Sequence, residues 1–194
     1  AALEGQLAGH LPPAGADRLS VPFFFGACLD AVIPVLTLPA ELAAGVRGLS
    51  QESRYFRFAS AMQELPARML ARYTLIDYDR EMALVAVIDS PDGEQQIGVA
   101  RYTALPDGET CEFAIVVGDA WQGKGLARRL FGLLIEAARD RRLKTMIGVT
   151  LRENTRMIEL SKSLGFGTRR DPDDPELVLM TLALAGAHRR QRID

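Results

Sequence analysis

Residues 110–127 read TCEFAIVVGDAWQGKGLA, and this stretch decides the fold. The first eight residues are mostly apolar and rich in strand formers, so they predict a strand. From position 126 onward leucines and alanines recur at helical spacing, so the hydrophobic period changes within the stretch. Two glycines, Gly123 and Gly125, lie between the two patterns. The stretch therefore predicts a strand, a glycine-rich loop and the start of a helix.

The rest of the chain alternates strand and helix patterns around this stretch. Pro-Asp-Gly turns at 91–93 and 106–108 separate apolar runs and predict three antiparallel strands in succession. This order describes an α+β, or mixed α/β, fold with helices covering a central sheet. In chain order the predicted elements are strand 32–38, a helix after Pro39, helix 51–65, strands 83–89, 96–105 and 110–117, helix 124–141, strand 146–151, helix 155–164 and strand 177–184.

The composition limits the classes of function. The 194 residues are 48% hydrophobic and 25% charged, which is typical of a globular chain with one core. The formal net charge of −2 argues against a nucleic-acid partner, because such proteins carry a basic face that neutralises phosphates. The longest apolar stretch, 21–38, is interrupted by Pro22, Asp30 and Pro34, so we predict neither a membrane span nor a signal peptide.

The two cysteines, Cys28 and Cys111, lie far apart in the sequence. Neither belongs to the paired Cys or Cys/His spacing of a metal site, so we predict no metal and no disulfide framework. A reducing, cytoplasmic location fits this cysteine content best.

Residues 121–127, WQGKGLA, are suited to holding phosphate. They lie where a helix begins, and the first backbone N–H groups of a helix have no partner within it and favour an anion. Gly123 and Gly125 let the backbone come close to a ligand, and Lys124 adds a positive charge. The stretch matches neither a Walker A loop nor a dinucleotide fingerprint. Taken alone, it is explained more simply by an ordinary turn.

The loop becomes specific when it is joined to a second motif downstream. Gln122-x-x-Gly125-x-Ala127 resembles the Q/R-x-x-G-x-G/A pyrophosphate loop of the GNAT acetyltransferases. Residues 154–166, NTRMIELSKSLGF, resemble the family's second landmark, an Asn that opens a helix closing on Gly-Phe. The resemblance covers residues 32–184. It implies the GNAT fold, a central, mostly antiparallel mixed sheet flanked by helices, with acetyl-CoA as cofactor.

Within the superfamily, residues 50–58 (SQESRYFRF), Glu112 and WQGKGLA are similar to the acetyltransferase domain of bacterial protein lysine acetyltransferases. This likeness implies acetyl transfer to a primary amine, with a protein lysine as acceptor. We expect an N-terminal extension or edge element (1–30), the acetyltransferase domain (31–185) and a basic tail (186–194). Two alternatives stay open, a small-molecule amine acetyltransferase and a non-catalytic acetyl-CoA-binding regulatory module.

Glu112 is the candidate catalytic base. A lysine amine has a pKa of about 10.4 and must lose a proton before its nitrogen can attack a thioester. Glu112 interrupts an apolar strand directly before the loop, and it matches the position of the general base in the resembling lysine acetyltransferases. Strand alternation places it on the same face as Ala114 and Val116. The alternative is an ordinary surface carboxylate.

The resemblance also assigns the cofactor contacts. The strand before the loop would present its backbone to the pantetheine arm, and one N–H would face the oxyanion. Asn154 would bond the cofactor's amide arm, cap its own helix, or do both. The predicted cofactor-binding residues are Ile115, Val116, Val117, Gln122, Gly123, Lys124, Gly125, Leu126, Ala127 and Asn154.

One position departs from the family pattern. Ser161 lies four residues before the glycine of Gly-Phe, where many relatives carry a tyrosine that protonates the leaving thiolate. Ser161 is a poor acid, and neither Tyr102 nor Cys111 is an obvious replacement.

The acceptor side of the site is less clearly marked. A small cationic acceptor would need an acidic pocket, and the candidates for it read more simply as turn residues: Asp77, Asp79, Glu81 and Asp107. Three aromatic residues of the predicted helix 51–65, Tyr55, Phe56 and Phe58, suit either core packing or a wall of the substrate site.

Overall fold

A computed structural model of the chain gives the fold. It describes residues 21–25, 29–33, 39–58, 64, 66, 68–69, 73, 76–91 and 93–184. Within these residues no helix combines the length and apolar character that a membrane crossing requires.

The strands and helices follow one another as an α+β chain. The strands are β1 (Val21–Phe25), β2 (Leu29–Ile33), β3 (Glu81–Ser90), β4 (Gly93–Ala104), β5 (Thr110–Val117), β6 (Thr145–Leu151), β7 (Gly167–Arg170) and β8 (Leu177–Ala183). The helices are α1 (Pro39–Arg47), α2 (Gln51–Phe58), α3 (Leu126–Asp140) and α4 (Thr155–Ser163), with a 3₁₀ turn at Asp119–Trp121.

The strands of the described residues form one mixed sheet in the order β1-β2-β3-β4-β5-β6-β8-β7. Every neighbouring pair is antiparallel except β5 and β6, which run parallel. A parallel pair needs a crossover connection, and α3 supplies it between β5 and β6. The expected mixed, mostly antiparallel sheet flanked by helices is therefore confirmed.

Helix α3 packs against one face of the sheet because its apolar residues form a single stripe. The buried positions recur at intervals of three to five residues: Leu126, Leu130, Phe131, Leu134, Ile135 and Ala138. Phe131 meets Phe113 of β5 at a ring-centroid distance of 4.4 Å and Phe166 at 5.1 Å. This aromatic contact joins α3, the centre of the sheet and the Gly-Phe end of the second motif.

One prediction about element positions needs correction. The strand predicted over 32–38 is wrong at its start, because β2 already begins at Leu29 and occupies Leu29–Ile33. The end of β2 precedes Pro34, which has no N–H for a strand ladder. Residues 34–38 lie outside the described residues. The helix predicted over 51–65 is confirmed over α2, Gln51–Phe58, and residues 59–63 and 65 lie outside the described residues. Strands β1 and β7 were not predicted.

Candidate active site

The sheet opens between β5 and β6. Their parallel ladder covers three pairs and ends at Glu112 opposite Ile147. Beyond that pair β5 stays paired with β4 as far as Val117, and β6 stays paired with β8 as far as Leu151. The strands therefore diverge, and the β6-facing edge of β5 beyond Glu112 has no ladder partner among the described residues. A backbone edge of this kind can bind an extended ligand as an added strand.

Glu112 lies at the mouth of this opening. Burial along β5 alternates, so Cys111 and Phe113 point to the α3 face while Glu112 points to the opposite face and is exposed. Ala114 and Val116 share its face, as predicted. Glu112 is thus the last paired residue of β5 on that side and the first that borders the opening.

The glycine-rich loop leads from the end of β5 into α3. Gly123 has φ of 72° and Gly125 has φ of 83°, a left-handed backbone that favours glycine. Gly125 is the N-cap of α3 and makes no side-chain capping hydrogen bond. The backbone N–H groups of the first helical turn have no partner within the helix and point toward the loop. This backbone can cradle an anion, and the binding of cofactor phosphate by the loop stays a prediction.

Lys124 adds a flexible positive charge to this cradle. Its side chain is exposed, and its Nζ lies 4.8 Å from the centre of the Trp121 ring. This distance is within the range of a cation–π contact, which holds the ammonium group beside the loop.

Asp119 joins the loop to helix α2. Its carboxylate accepts hydrogen bonds from the Ser50 backbone N–H and from the Ser50 and Ser53 hydroxyl groups, each at 2.8 Å. Partial burial alone would raise the pKa of Asp119, but the bonds from the two serines outweigh it, and the pKa lies below its ordinary value. The start of α2 is thereby fixed beside the loop.

Gln122 extends the same network across the opening. Its Nε2 donates to the Ser53 hydroxyl at 3.0 Å and to the Val117 carbonyl at 3.2 Å. Its Oε1 accepts from Arg156 Nη1 of α4 at 3.0 Å. The Gln122 side chain therefore links α2, the end of β5 and α4. The sequence motif marked Gln122, whereas Ser53, Asp119 and Arg156 were missed, because their partners lie 34 to 69 positions away in the chain.

Asn154 caps α4. Its Oδ1 accepts from the Met157 backbone N–H at 3.2 Å, and its Nδ2 donates to the Thr150 hydroxyl at 3.1 Å. The amide keeps one further N–H for another acceptor, since an Asn side chain has two. The capping alternative for Asn154 is present in the structure.

Ser161, Tyr102 and Cys111 all lie in the core. Ser161 is fully buried, and its hydroxyl has no hydrogen-bond partner among the described residues. Burial raises the pKa of Tyr102 and the pKa of Cys111 to about 12 each. Tyr102 and Cys111 belong to the core beneath α3, on the face opposite Glu112.

A cavity lies on the face of the sheet to which Glu112 points, between the sheet and helices α1 and α2. Arg57 and Phe58 of α2, Tyr73, and Arg101 of β4 line it together with Val116. Of the three helical aromatic residues, Phe58 lines this cavity and Tyr55 is exposed, so a substrate-side wall stays a prediction for Phe58.

Arg57 and Arg101 were not predicted as site residues. A charged side chain within the apolar strand 96–105 was the available signal for Arg101, which is buried. Arg57 gave no signal, because a charge beside aromatic residues on a short helix is ordinary. Their proximity arises from tertiary packing that the sequence pattern does not encode.

The acidic residues considered for a small-amine pocket have other roles. Asp77 accepts from the Asp79 N–H, and Asp107 accepts from the N–H groups of Glu109 and Thr110, so both are turn residues. Glu81 pairs with Arg101 at 3.4 Å.

The comparison with known proteins agrees with this geometry. Residues 49–166, more than half of the chain, match the model of the Acetyltransferase (GNAT) family. The chain is also 37% identical over 140 residues to Acetyltransferase PA5475 of Pseudomonas aeruginosa, covering 72% of this chain and 75% of that protein. The chain belongs to the GNAT family.

Solved GNAT structures share the fold. The GNAT domain of S. lividans PAT superposes with a TM-score of 0.74 at 24% identity, covering 89% of this chain and 99% of that domain. YncA of Salmonella typhimurium, a putative acetyltransferase whose structure holds its cofactor acetyl-CoA, gives a TM-score of 0.63 at 23% identity, with coverages of 81% and 96%.

The residues present suit the GNAT cofactor. The chain is a GNAT family N-acetyltransferase, and its cofactor is acetyl-CoA. The left-handed glycines leave open space over the loop, since a Cβ at Gly123 or Gly125 would meet no atom within 4 Å. The first turn of α3 offers N–H groups to phosphate, and the unpaired edge of β5 offers backbone groups to an extended arm.

Proposed function

We propose that this acetyltransferase transfers an acetyl group from acetyl-CoA to the side-chain amine of a protein lysine in the cytoplasm, with Glu112 as general base. The observation that carries the proposal is the position of Glu112. It is the residue at which the β5–β6 ladder ends, and its exposed carboxylate faces the side of the sheet that carries the cavity.

Glu112 is suited to removing the proton from an incoming amine. A lysine amine is almost wholly protonated at neutral pH, so a nearby carboxylate is needed to produce the neutral nucleophile. When bound, acetyl-CoA supplies an acetyl thioester. Transfer forms an N–C bond as the C–S bond breaks, and coenzyme A leaves as a thiolate that takes up a proton from solvent. Glu112 accepts the amine proton and releases it to solvent, to which its side chain is exposed.

The cofactor would be held by two groups of residues. The backbone of Ile115, Val116 and Val117 lies on the open edge of β5 and would contact the pantetheine arm, with Asn154 offering its remaining N–H. The pyrophosphate would lie on the loop and the first turn of α3, at Gln122, Gly123, Lys124, Gly125, Leu126 and Ala127. The hydrogen bonds of Asp119 and Gln122 would hold the edge of β5 and the glycine-rich loop in fixed positions relative to each other.

A protein lysine is supported as the acceptor by two features. The Glu112 side chain is exposed, so a residue on the surface of another protein can reach it. The fold resembles that of the S. lividans PAT GNAT domain over 99% of that domain. Location in the cytoplasm is supported by Cys111, a buried free thiol that a reducing compartment preserves.

An acceptor panel tests the proposal. Thiol release from acetyl-CoA would be followed with lysine peptides, a polyamine and an amino sugar, and the products would be weighed by mass spectrometry. We expect the lysine peptides to be acetylated at the lysine side chain, while matched peptides with arginine in its place stay unmodified. Acetylation of small amines alone would refute the protein-lysine acceptor. Binding of acetyl-CoA without acetylation of any amine would indicate a regulatory module instead.

A further inference from the structure

Two arginines share one aromatic ring in the cavity beside Glu112. The guanidinium carbon of Arg101 lies 4.5 Å from the centre of the Tyr73 ring, and that of Arg57 lies 5.8 Å from it. Arg57 also lies 5.0 Å from the ring of Phe58. These stacked contacts place both guanidinium groups on the wall of the cavity.

The two arginines differ in their charged partners. Arg101 forms an ion pair with Glu81 within the sheet. Arg57 hydrogen-bonds the Tyr73 side chain, and among the described residues no carboxylate lies within ion-pair distance of it. A guanidinium has five N–H donors, and a neutral phenol takes up only one. Arg57 therefore keeps donors for an anionic group that enters the cavity.

The surroundings of Arg57 favour such a group. Burial lowers the pKa of Arg57 from its ordinary value, while the Tyr73 phenol and the Glu112 carboxylate act in the opposite direction. A cation that is largely removed from water is stabilised by a well-placed anion, and the bidentate fork of arginine matches a carboxylate.

The strand register places Arg101, which lines the cavity, near Glu112. Glu112 pairs with Thr103, and Arg101 pairs with Ala114 on the same face of β4 and β5. Arg101 and Glu112 are therefore diagonal neighbours, at a separation of about 7–8 Å between backbones. An acceptor that extends from Glu112 along this face of the sheet meets Arg101 and the cavity that Arg57 also lines.

The charge balance between Glu112 and Arg57 changes when the amine proton is transferred. Once Glu112 has accepted the amine proton, its negative charge is gone and no longer offsets the positive charge of Arg57. A carboxylate on the acceptor stays ionised throughout the reaction and balances Arg57 at that stage.

We propose that Arg57 binds a carboxylate that the acceptor carries close to its reactive amine, making Arg57 a specificity-determining residue of the acceptor site. This inference rests on the proposed acetyl transfer to an amine. The carboxylate has two sources, an acidic side chain next to the target lysine of a protein or the carboxyl group of a free amino acid.

The test compares acceptors that differ only in that carboxylate. One arm uses lysine peptides with Glu or Gln beside the lysine, and the other uses a free amino acid and its primary amide. In the arm that matches the natural source, we expect the carboxylate form to have a KM lower by about tenfold or more, because a charge-assisted Arg pair is lost with the amide.

Variants assign the preference to Arg57. Arg57→Gln should abolish the preference for the carboxylate form while the KM for acetyl-CoA stays unchanged, and Arg57→Lys should keep part of it. Arg170→Gln removes the same charge from an exposed position of β7 and should keep the full preference. Circular dichroism would show that each variant is folded.

Two results would overturn the inference. They are equal KM values for the carboxylate and amide forms in both arms, or a preference that survives in Arg57→Gln. Calorimetric binding of the same acceptor pairs in the presence of coenzyme A gives a readout that does not need turnover. If no amine is acetylated but the carboxylate form binds more tightly through Arg57, the proposed transfer fails and the carboxylate site stands.

Discussion

Glu112 and Phe113 are neighbours on β5, yet they belong to two different regions of the molecule. Phe113 points to the face covered by α3, where it contacts Phe131 and Phe166. Glu112 points to the face covered by α1 and α2, beside a cavity that holds two arginines and a tyrosine. One face is an apolar core, and the other carries charge at the centre of the same sheet.

The two faces of the sheet separate the residues that stabilise the fold from the residues suited to the reaction. Apolar burial on the α3 face stabilises the sheet without specifying a reaction. Charged side chains on the opposite face are costly to bury and so indicate a function that requires them. The division predicts that substitutions on the α3 face change the free energy of unfolding, whereas those on the other face change acceptor kinetics.

The largest stability effect is expected at Phe131. This side chain is fully buried, so Phe131→Ala should lower the free energy of unfolding by about 3–5 kcal/mol. Urea unfolding at neutral pH would measure the loss, with Phe131→Leu as a milder control. Turnover per folded molecule should stay close to that of the native chain. A loss below about 1 kcal/mol would show that the α3 face is not the main core.

Gly148 tests the packing of the α3 face at the point where β5 and β6 diverge. A Cβ at this position would come within 2.4 Å of Phe113 Cε1, so Gly148→Ala should overpack the α3 face and cost about 1–3 kcal/mol. The same substitution in a Phe113→Leu background should cost clearly less in a thermal unfolding cycle. Equal costs in both backgrounds would contradict this packing.

Gly125 and Gly132 form a matched pair on α3. At φ of 83°, Gly125→Ala should cost about 1–2 kcal/mol and raise the KM for acetyl-CoA, because the loop backbone must shift. Gly132 lies within the helix with open space around a Cβ, so Gly132→Ala should stabilise by about 0.5–1 kcal/mol. If both substitutions stabilised the fold, or both destabilised it, the left-handed backbone at Gly125 and the helical backbone at Gly132 would be contradicted.

The smallest effect is expected at Asp119. Its folded pKa lies below the ordinary value, so its carboxylate stabilises the fold above the unfolded pKa, and this contribution fades as the pH falls through the folded pKa. Asp119→Asn should therefore destabilise at pH 7 by less than about 1 kcal/mol, since solvent screens this exposed group. The gap between the variant and the native chain should close in unfolding measurements carried toward pH 3. A gap that widens as the pH falls would contradict a folded-state pKa of Asp119 below its ordinary value.

Much of the α3 face was predictable from sequence. The stripe from Leu126 to Ala138 and the alternation in β5 are local patterns, and each matches the structure. Strand β7 was missed because GTRR lacks an apolar period and forms only through pairing with β8. Strand β1 was missed because Pro22 stands within an apolar run whose partner, β2, is set by pairing.

The candidate site was predictable in part. The loop glycines and Glu112 stand in contiguous motifs, so their placement could be foreseen from the sequence. Arg57, Tyr73 and Arg101 come from different elements and meet only after folding. A sequence pattern carries no record of that meeting, so the cavity with its two arginines was found only in the structure.

The most direct test of the two-faced account measures turnover per folded molecule and unfolding free energy for Glu112→Gln and Phe113→Leu. We predict that Glu112→Gln lowers acetyl-CoA turnover with a lysine acceptor about 100-fold or more and changes the unfolding free energy by less than about 0.5 kcal/mol. Phe113→Leu should lose about 1 kcal/mol or more of stability and change turnover less than about threefold. Full turnover in Glu112→Gln would contradict the account.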